Sequence, residues 1–272
     1  MAVEQDVSAL RRVLAGLEAE HLPGASSTFT LGAAGADGQL ADGLPRGVLH
    51  EVHAAAGADI PAASGFALAL ALRASVRHAN MAQPILWVRQ DMLDSETGAL
   101  HAPGVAGLGL DPAQIILVRV RDAEQALRAA GDAARCPALG AVLLEPWGEP
   151  KALDLTATRR LALRARESGV TMLLLRMTDR PMASVALTRW QVRPLVSAPL
   201  AAGAPGAPAF AATLLRHRGG LQGRTWKLEW DHESRSFRDF APLSRAVVPV
   251  PSGRTVAQGG GHTDVRPFRR AG

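Results

Sequence analysis

Residues 43–72 read GLPRGVLHEVHAAAGADIPAASGFALALAL, and the fold turns on how this stretch is read. The apolar run over residues 48–52 has the length of a buried strand, a small-residue loop follows, and a helical pattern opens at Ser64-Gly65-Phe66-Ala67. A strand, a glycine-containing loop and a helix N-terminus form the arrangement whose backbone N–H groups cradle phosphate. Its chemistry needs the order G-x-x-x-x-G-K-[ST], because the lysine neutralises the β- and γ-phosphates and the hydroxyl holds magnesium. Here Phe66 and Ala67 follow Gly65, and the preceding glycine, Gly57, stands eight positions back instead of five. Pro61 removes one donor from the loop. The stretch reads as phosphate-loop architecture emptied of its chemistry.

Outward from this unit, apolar strand-like runs alternate with helical patterns. Residues 85–88, 115–120, 141–144 and 170–175 read as strands, and 66–78, 123–134 and 155–168 as helices. Continuous apolar strands of this kind suit a parallel sheet covered on both faces. Asp122 with Gln125 three positions later is a capping-box pattern, and Asp154 caps a helix that Gly169 would end. Beyond residue 175 come strand-like segments over 186–195, 210–216 and 224–230. In the last, Trp226, Leu228 and Trp230 alternate with Thr225, Lys227 and Glu229, as in a half-buried antiparallel strand. Residues 197–208 read as a loop, and no internal repeat is present. Near the start, Val3, Val7, Leu10, Leu14 and Leu17 recur at helical spacing. The expected organisation is an N-terminal helix and linker over 1–39, a core over 40–241, and a flexible basic tail over 242–272.

Composition narrows the classes. The 272 residues are 47% hydrophobic, enough for a well-buried core, and include no tyrosine. A mean hydropathy of +0.06, without an apolar run of spanning length, argues against a membrane span. Glu4, Asp6, Arg11 and Arg12 argue against a signal peptide, so the expected location is the cytoplasm. A single cysteine, Cys136, excludes an internal disulfide and a cysteine-based zinc site, and is expected to be buried. The net charge of +5 is almost all arginine, since Lys151 and Lys227 are the only lysines. That balance is compatible with nucleic acid without pointing to it. His50 and His53, three apart on a strand, face opposite ways and cannot chelate one metal. No G-x-S-x-G elbow exists to support a hydrolase.

The order of features resembles the RecA-like ATPase core: the Leu-Pro-x-Gly turn, the phosphate-loop position, and then Trp87-Val88-Arg89-Gln90-Asp91-Met92-Leu93-Asp94 after the second strand. Leu108-Gly109-Leu110-Asp111, Glu124-Gln125-Ala126-Leu127 and the strand ending in Glu145 continue it. Within that superfamily, residues 43–51 resemble the ImuA family of the bacterial damage-induced mutagenesis operon. So do Arg216-His217-Arg218-Gly219-Gly220 and Gly223-Arg224-Thr225-Trp226-Lys227-Leu228-Glu229-Trp230. The resemblance implies a three-layer α/β/α core whose mostly parallel sheet is extended by antiparallel strands.

Carried over position by position, the resemblance puts Phe66 and Ala67 where an active ATPase has lysine and threonine. It puts Gln90 where the water-activating glutamate stands, and Glu145 at the Walker-B aspartate. Gly57, Ser64 and Gly65 complete a degenerate nucleotide site, which argues against hydrolysis and implies no cofactor. The family implies a non-catalytic adaptor in SOS-induced translesion synthesis. It would bind the inactive Y-family polymerase homologue ImuB and, through it, support a DnaE-class polymerase. Two alternatives stay open: a DNA-stimulated ATPase using Arg73 or Arg89 in place of lysine, and a SulA-like inhibitor of cell division. The long DNA-binding loop of RecA is missing after residue 175. Arg176, Arg180, Arg189, Arg193, Arg216, Arg218 and Arg224 remain as candidate phosphate or partner contacts, with a solvated basic face as the other reading. Trp190 is read as a base-stacking residue or as core. The N-terminal helix is a packing element or a site of self-association.

Overall fold

The computed structural model describes residues 27–40, 43–77, 82–178, 182–218 and 220–241. Expectations for the N-terminal helix, the basic tail and Arg180 lie outside the described residues.

The chain enters as β1 (Thr28–Phe29) and a single helical turn, α1 (Ala34–Asp37), with β1 pairing antiparallel to β2 (Leu44–Pro45). These residues were expected to be linker, yet Phe29, Leu31, Ala33, Ala36 and Leu40 are buried in the main core. Asp37 closes the turn by accepting the N–H groups of Leu31 and Gly32.

Six parallel strands follow: β3 (Leu49–Ala54), β4 (Ile85–Gln90), β5 (Ile115–Val120), β6 (Ala141–Glu145), β7 (Thr171–Arg176) and β8 (Thr188–Pro194). Antiparallel β9 (Ala209–His217), β10 (Arg224–Asp231) and β11 (Ser236–Asp239) extend the same sheet. Among the described residues the strand order is β11-β10-β9-β8-β3-β7-β6-β4-β5. One strand, β7, therefore separates β3 from β6, and these three parallel strands end on the same edge of the sheet.

Alternation along each strand divides the core. Leu173 and Leu175 of β7 face one side, with Val52, Trp87, Leu143 and Trp190; Met172 and Leu174 face the other, with Leu49, Val88 and Leu144. The first side is covered by α2 (Ile60–Ser75), which is buried almost all round; α3 (Met92–Glu96) follows the end of β4, and α4 (Ala102–Gly107) adds Val105 to the same side. The second is covered by α5 (Ala123–Ala133) and α6 (Leu155–Ser168). Helix punctuation follows the sequence: Asp122 and Asp154 accept the N–H groups of Gln125 and Ala157 at 2.7 Å, and Gly169 ends α6 at φ 78°. Only a residue without a Cβ takes that conformation easily.

Two further expectations are corrected. The sheet is not covered everywhere, since Ile116 and Leu117 on the edge strand β5 are 45% and 40% exposed. Cys136, expected inside, is exposed in the turn that follows α5.

Candidate functional site

α2 opens at Ile60, four residues before the position read from the sequence. Pro61 explains the difference, because proline in the first turn loses an N–H that would have no helical partner there. Ser64, Gly65, Phe66 and Ala67 therefore lie within the helix, where their N–H groups belong to the helical ladder. Gly57 begins a single 3-10 turn (Gly57–Asp59). Three amides around it are bonded within the protein: Ala55 to Val192 O, Asp59 to Ala56 O and Ile60 to Gly57 O. Phe66 does not face the strand ends. It is fully buried and packs on Trp190, Phe210 and Phe237, with ring centroids 5.8, 5.7 and 5.2 Å away. Ala67 is buried beside it.

The ends of β4 and β6 come together because Arg89 pairs in register with Glu145. Arg89 Nε donates to Glu145 Oε2 at 2.7 Å, and Trp87 Nε1 donates to the same oxygen at 2.9 Å. The rest of the guanidinium is used by Asp94 Oδ1, Thr97 Oγ1 and the Gly98 carbonyl. Burial pushes the Glu145 carboxyl above its ordinary range, and Arg89 and Trp87 offset only part of that. Gln90, facing the other way, accepts the Trp147 N–H at 2.7 Å. Ser64, Gly65, Trp87 and Arg89 share a cleft of about 380 Å³ closed by residues 97–101 and α4. Arg73 is elsewhere, holding Thr30 and the Arg235 carbonyl at the far end of α2.

The candidate DNA-contacting arginines separate into two sets. Arg176 and Arg189 are 1% and 8% exposed, which removes them as surface contacts. They flank Glu51 in the middle of β3: Arg189 Nε lies 2.8 Å from Oε2 and Arg176 Nε 3.3 Å from Oε1, and His53 Nε2 stands 3.7 Å from Oε2. Burial raises the Glu51 carboxyl, but the facing His53 ring and the two guanidinium groups more than reverse this and hold it at about 2. Arg216 is half-buried, donating to the carbonyls of Ser184 and Ala186. Arg193, Arg218 and Arg224 are exposed. Trp190 is core, its Nε1 donating to Thr188 Oγ1, which also faces His50 Nδ1 at 2.7 Å.

The sequence reading missed both buried ion-pair groups. Their signal was present: Glu51 interrupts one apolar strand and Arg89 another, and a charge in a covered strand calls for an opposite charge.

A six-stranded parallel core among the described residues, with one strand between β3 and β6 and helices on both faces, defines a RecA-like α/β/α protein. The crystal structure of the RadB recombinase superposes with a TM-score of 0.51, covering 79% of this chain and all of that one at 16% identity. Protein ImuA from two strains of Caulobacter vibrioides, NA1000 / CB15N and ATCC 19089 / CIP 103742 / CB 15, is 31% identical over 229 residues. These cover 78% of this chain and 88% of each relative. This chain belongs to the ImuA family. No family model matches it.

Proposed function

We propose that this protein is a non-catalytic RecA-like adaptor of damage-induced, error-prone translesion synthesis. In this reading it acts in the cytoplasm, holds an ImuB-type Y-family polymerase homologue and through it supports a DnaE-class polymerase. Family membership and the RecA-like fold support a role in damage-induced mutagenesis. The observation that carries the non-catalytic part is the Arg89–Glu145 pair. A Walker-B carboxylate assists hydrolysis by holding a hydrated metal ion, and here the opposite charge at 2.7 Å is a guanidinium on the neighbouring strand. Gln90 is turned to a backbone amide and Phe66 to the aromatic core, so neither offers a base or a phosphate-neutralising charge. On this reading the residues present do not fit a magnesium nucleotide. DNA contact falls to the exposed Arg193 and Arg224.

The test is affinity purification of the tagged full-length chain from its host after DNA damage, together with calorimetric titration by magnesium ATP. The expected result is recovery of the Y-family homologue and no saturable heat of nucleotide binding. Saturable magnesium-dependent binding would replace the scaffold with the ATPase reading. Recovery of the tubulin-like division GTPase, with filamentation on overexpression, would replace the adaptor with the division-inhibitor reading.

A further inference from the structure

A groove of about 440 Å³ runs along α6 on the face opposite α2, between that helix and residues 47–49 and 185–187. Its floor includes Val48, Ala162, Val185 and Leu187, and two leucines of α6 stand open to it, Leu155 at 50% and Leu163 at 49% exposure. Large apolar side chains left this open along one helix mark a surface made to be covered. The rim is cationic: Arg159 and Arg166 rise from α6 and Arg218 from the opposite wall, with no acidic residue among the described lining. The occupant must therefore carry an apolar stripe edged by carboxylates.

One segment of this chain has that chemistry and is tethered beside the groove. The Ser27 carbonyl accepts the Arg46 N–H at 2.8 Å, and the next residue, Gly47, lines the groove. Residues 1–26 thus connect to the fold at the groove's edge. Their sequence sets Val3, Val7, Leu10, Leu14 and Leu17 on one helical stripe. At 100° per residue, Asp6 and Glu20 fall along one edge of it, and Glu4 and Glu18 along the other with Arg11 between them. These four acids outnumber Arg11 and Arg12, so the segment is acidic where the groove is basic. Lengths agree as well: the stripe from Val3 to Leu17 and α6 each span about 21 Å as helices, and the six residues from 21 to 26 reach up to about 20 Å when extended. The C-terminal tail is unsuitable, because Arg245, Arg254, Arg266, Arg269 and Arg270 would meet the cationic rim.

We propose that the groove between α6 and residues 185–187 is the docking site for the chain's own N-terminal segment. Val3 to Leu17 fill the apolar floor, and the flanking acids meet Arg159 and Arg218. This site is separate from the nucleotide-site remnant and does not depend on the adaptor reading.

The experiment is photocrosslinking in the full-length chain with Leu163→benzoylphenylalanine, followed by digestion and mass spectrometry. The expected products are links to residues 1–21 within a monomer, about tenfold fewer in a Leu10→Asp, Leu14→Asp background, and none from a control probe at the exposed Ala113. Products without residues 1–21 would overturn the proposal. Dimer-sized products joining residue 163 to residues 1–21 would overturn it in favour of a second copy as occupant. Because the probe alters the floor, tryptic cleavage after Arg11 and Arg12 is also compared in the unlabelled chain and in Arg159→Glu. Faster cleavage in the variant, by about tenfold, is expected. Equal rates would refute the charge-guided docking.

Discussion

Glu51→Gln tests the assignment of Arg176 and Arg189 as internal structure. The carboxylate is fully buried between two guanidinium groups at 2.8 and 3.3 Å, themselves 8% and 1% exposed. Removing its charge leaves both cations inside without an anionic partner, an arrangement that costs about 3–5 kcal/mol. The proton linkage supplies an independent figure. Holding the carboxyl at about 2, against an ordinary 4.5, is worth about 3 kcal/mol at about 1.4 kcal/mol per pH unit. A depressed carboxyl contributes this fully above pH 4.5, and the contribution fades as pH falls toward 2. Urea unfolding of the full-length chain at pH 7 should show Glu51→Gln less stable by about 3 kcal/mol. Between pH 4.5 and 3 the parent should lose stability more steeply than the variant, so that the two curves converge. Arg193→Ala, exposed on the same strand as Arg189, should move stability by less than about 0.5 kcal/mol. A Glu51→Gln loss under about 1 kcal/mol, or parallel curves, would refute the buried-network account and return Arg176 and Arg189 to the surface.

Three further outcomes are expected. Phe66→Ala should lower unfolding free energy by about 3–5 kcal/mol, with loss of near-ultraviolet dichroism from the Trp190 cluster; a surface-like loss of a few tenths would contradict its placement in the core. Burial holds the His50 imidazole at about 4, so the unfolded chain takes up a proton near pH 6.5 that the folded chain refuses. Stability should therefore decline from pH 6.5 to 4, and His50→Gln should flatten that part of the melting-temperature profile. Arg89→Met strands a buried Glu145 and should destabilise the chain by about 3–5 kcal/mol at pH 7. Acid should narrow that deficit, because the stranded carboxyl can then protonate, and a deficit independent of pH would argue against the pair.

The parallel core was legible because strands covered on both faces leave unbroken apolar runs. The strands at residues 85, 115 and 141 begin where the pattern begins. The helix caps at Asp122 and Asp154 were legible for a local reason, since a cap is made by a side chain and an amide three residues apart. Residues 28–40 were not, because their apolar side chains are sparse among glycines and find partners only across the chain, as Gly35 does when its N–H reaches Asp239. The start of α2 was misplaced by reading Pro61 as a loop breaker when it serves the first helical turn. At the candidate site, the identities of Phe66, Gln90 and Glu145 were readable one at a time. What they touch depends on Arg89, Trp147 and Phe237, which strand register and helix packing bring to them.

The Arg89–Glu145 pair also changes what the strand end responds to. A carboxylate that waits for a metal ion is filled or empty according to the concentration of something outside the protein. A carboxylate answered by the next strand is filled when the chain folds, once per molecule, with no concentration to follow. On the proposed non-catalytic reading, chelators and nucleotide depletion have no handle on it. Such a strand end would then keep no record of cellular energy state, and the quantity left to vary at that point would be the number of folded chains.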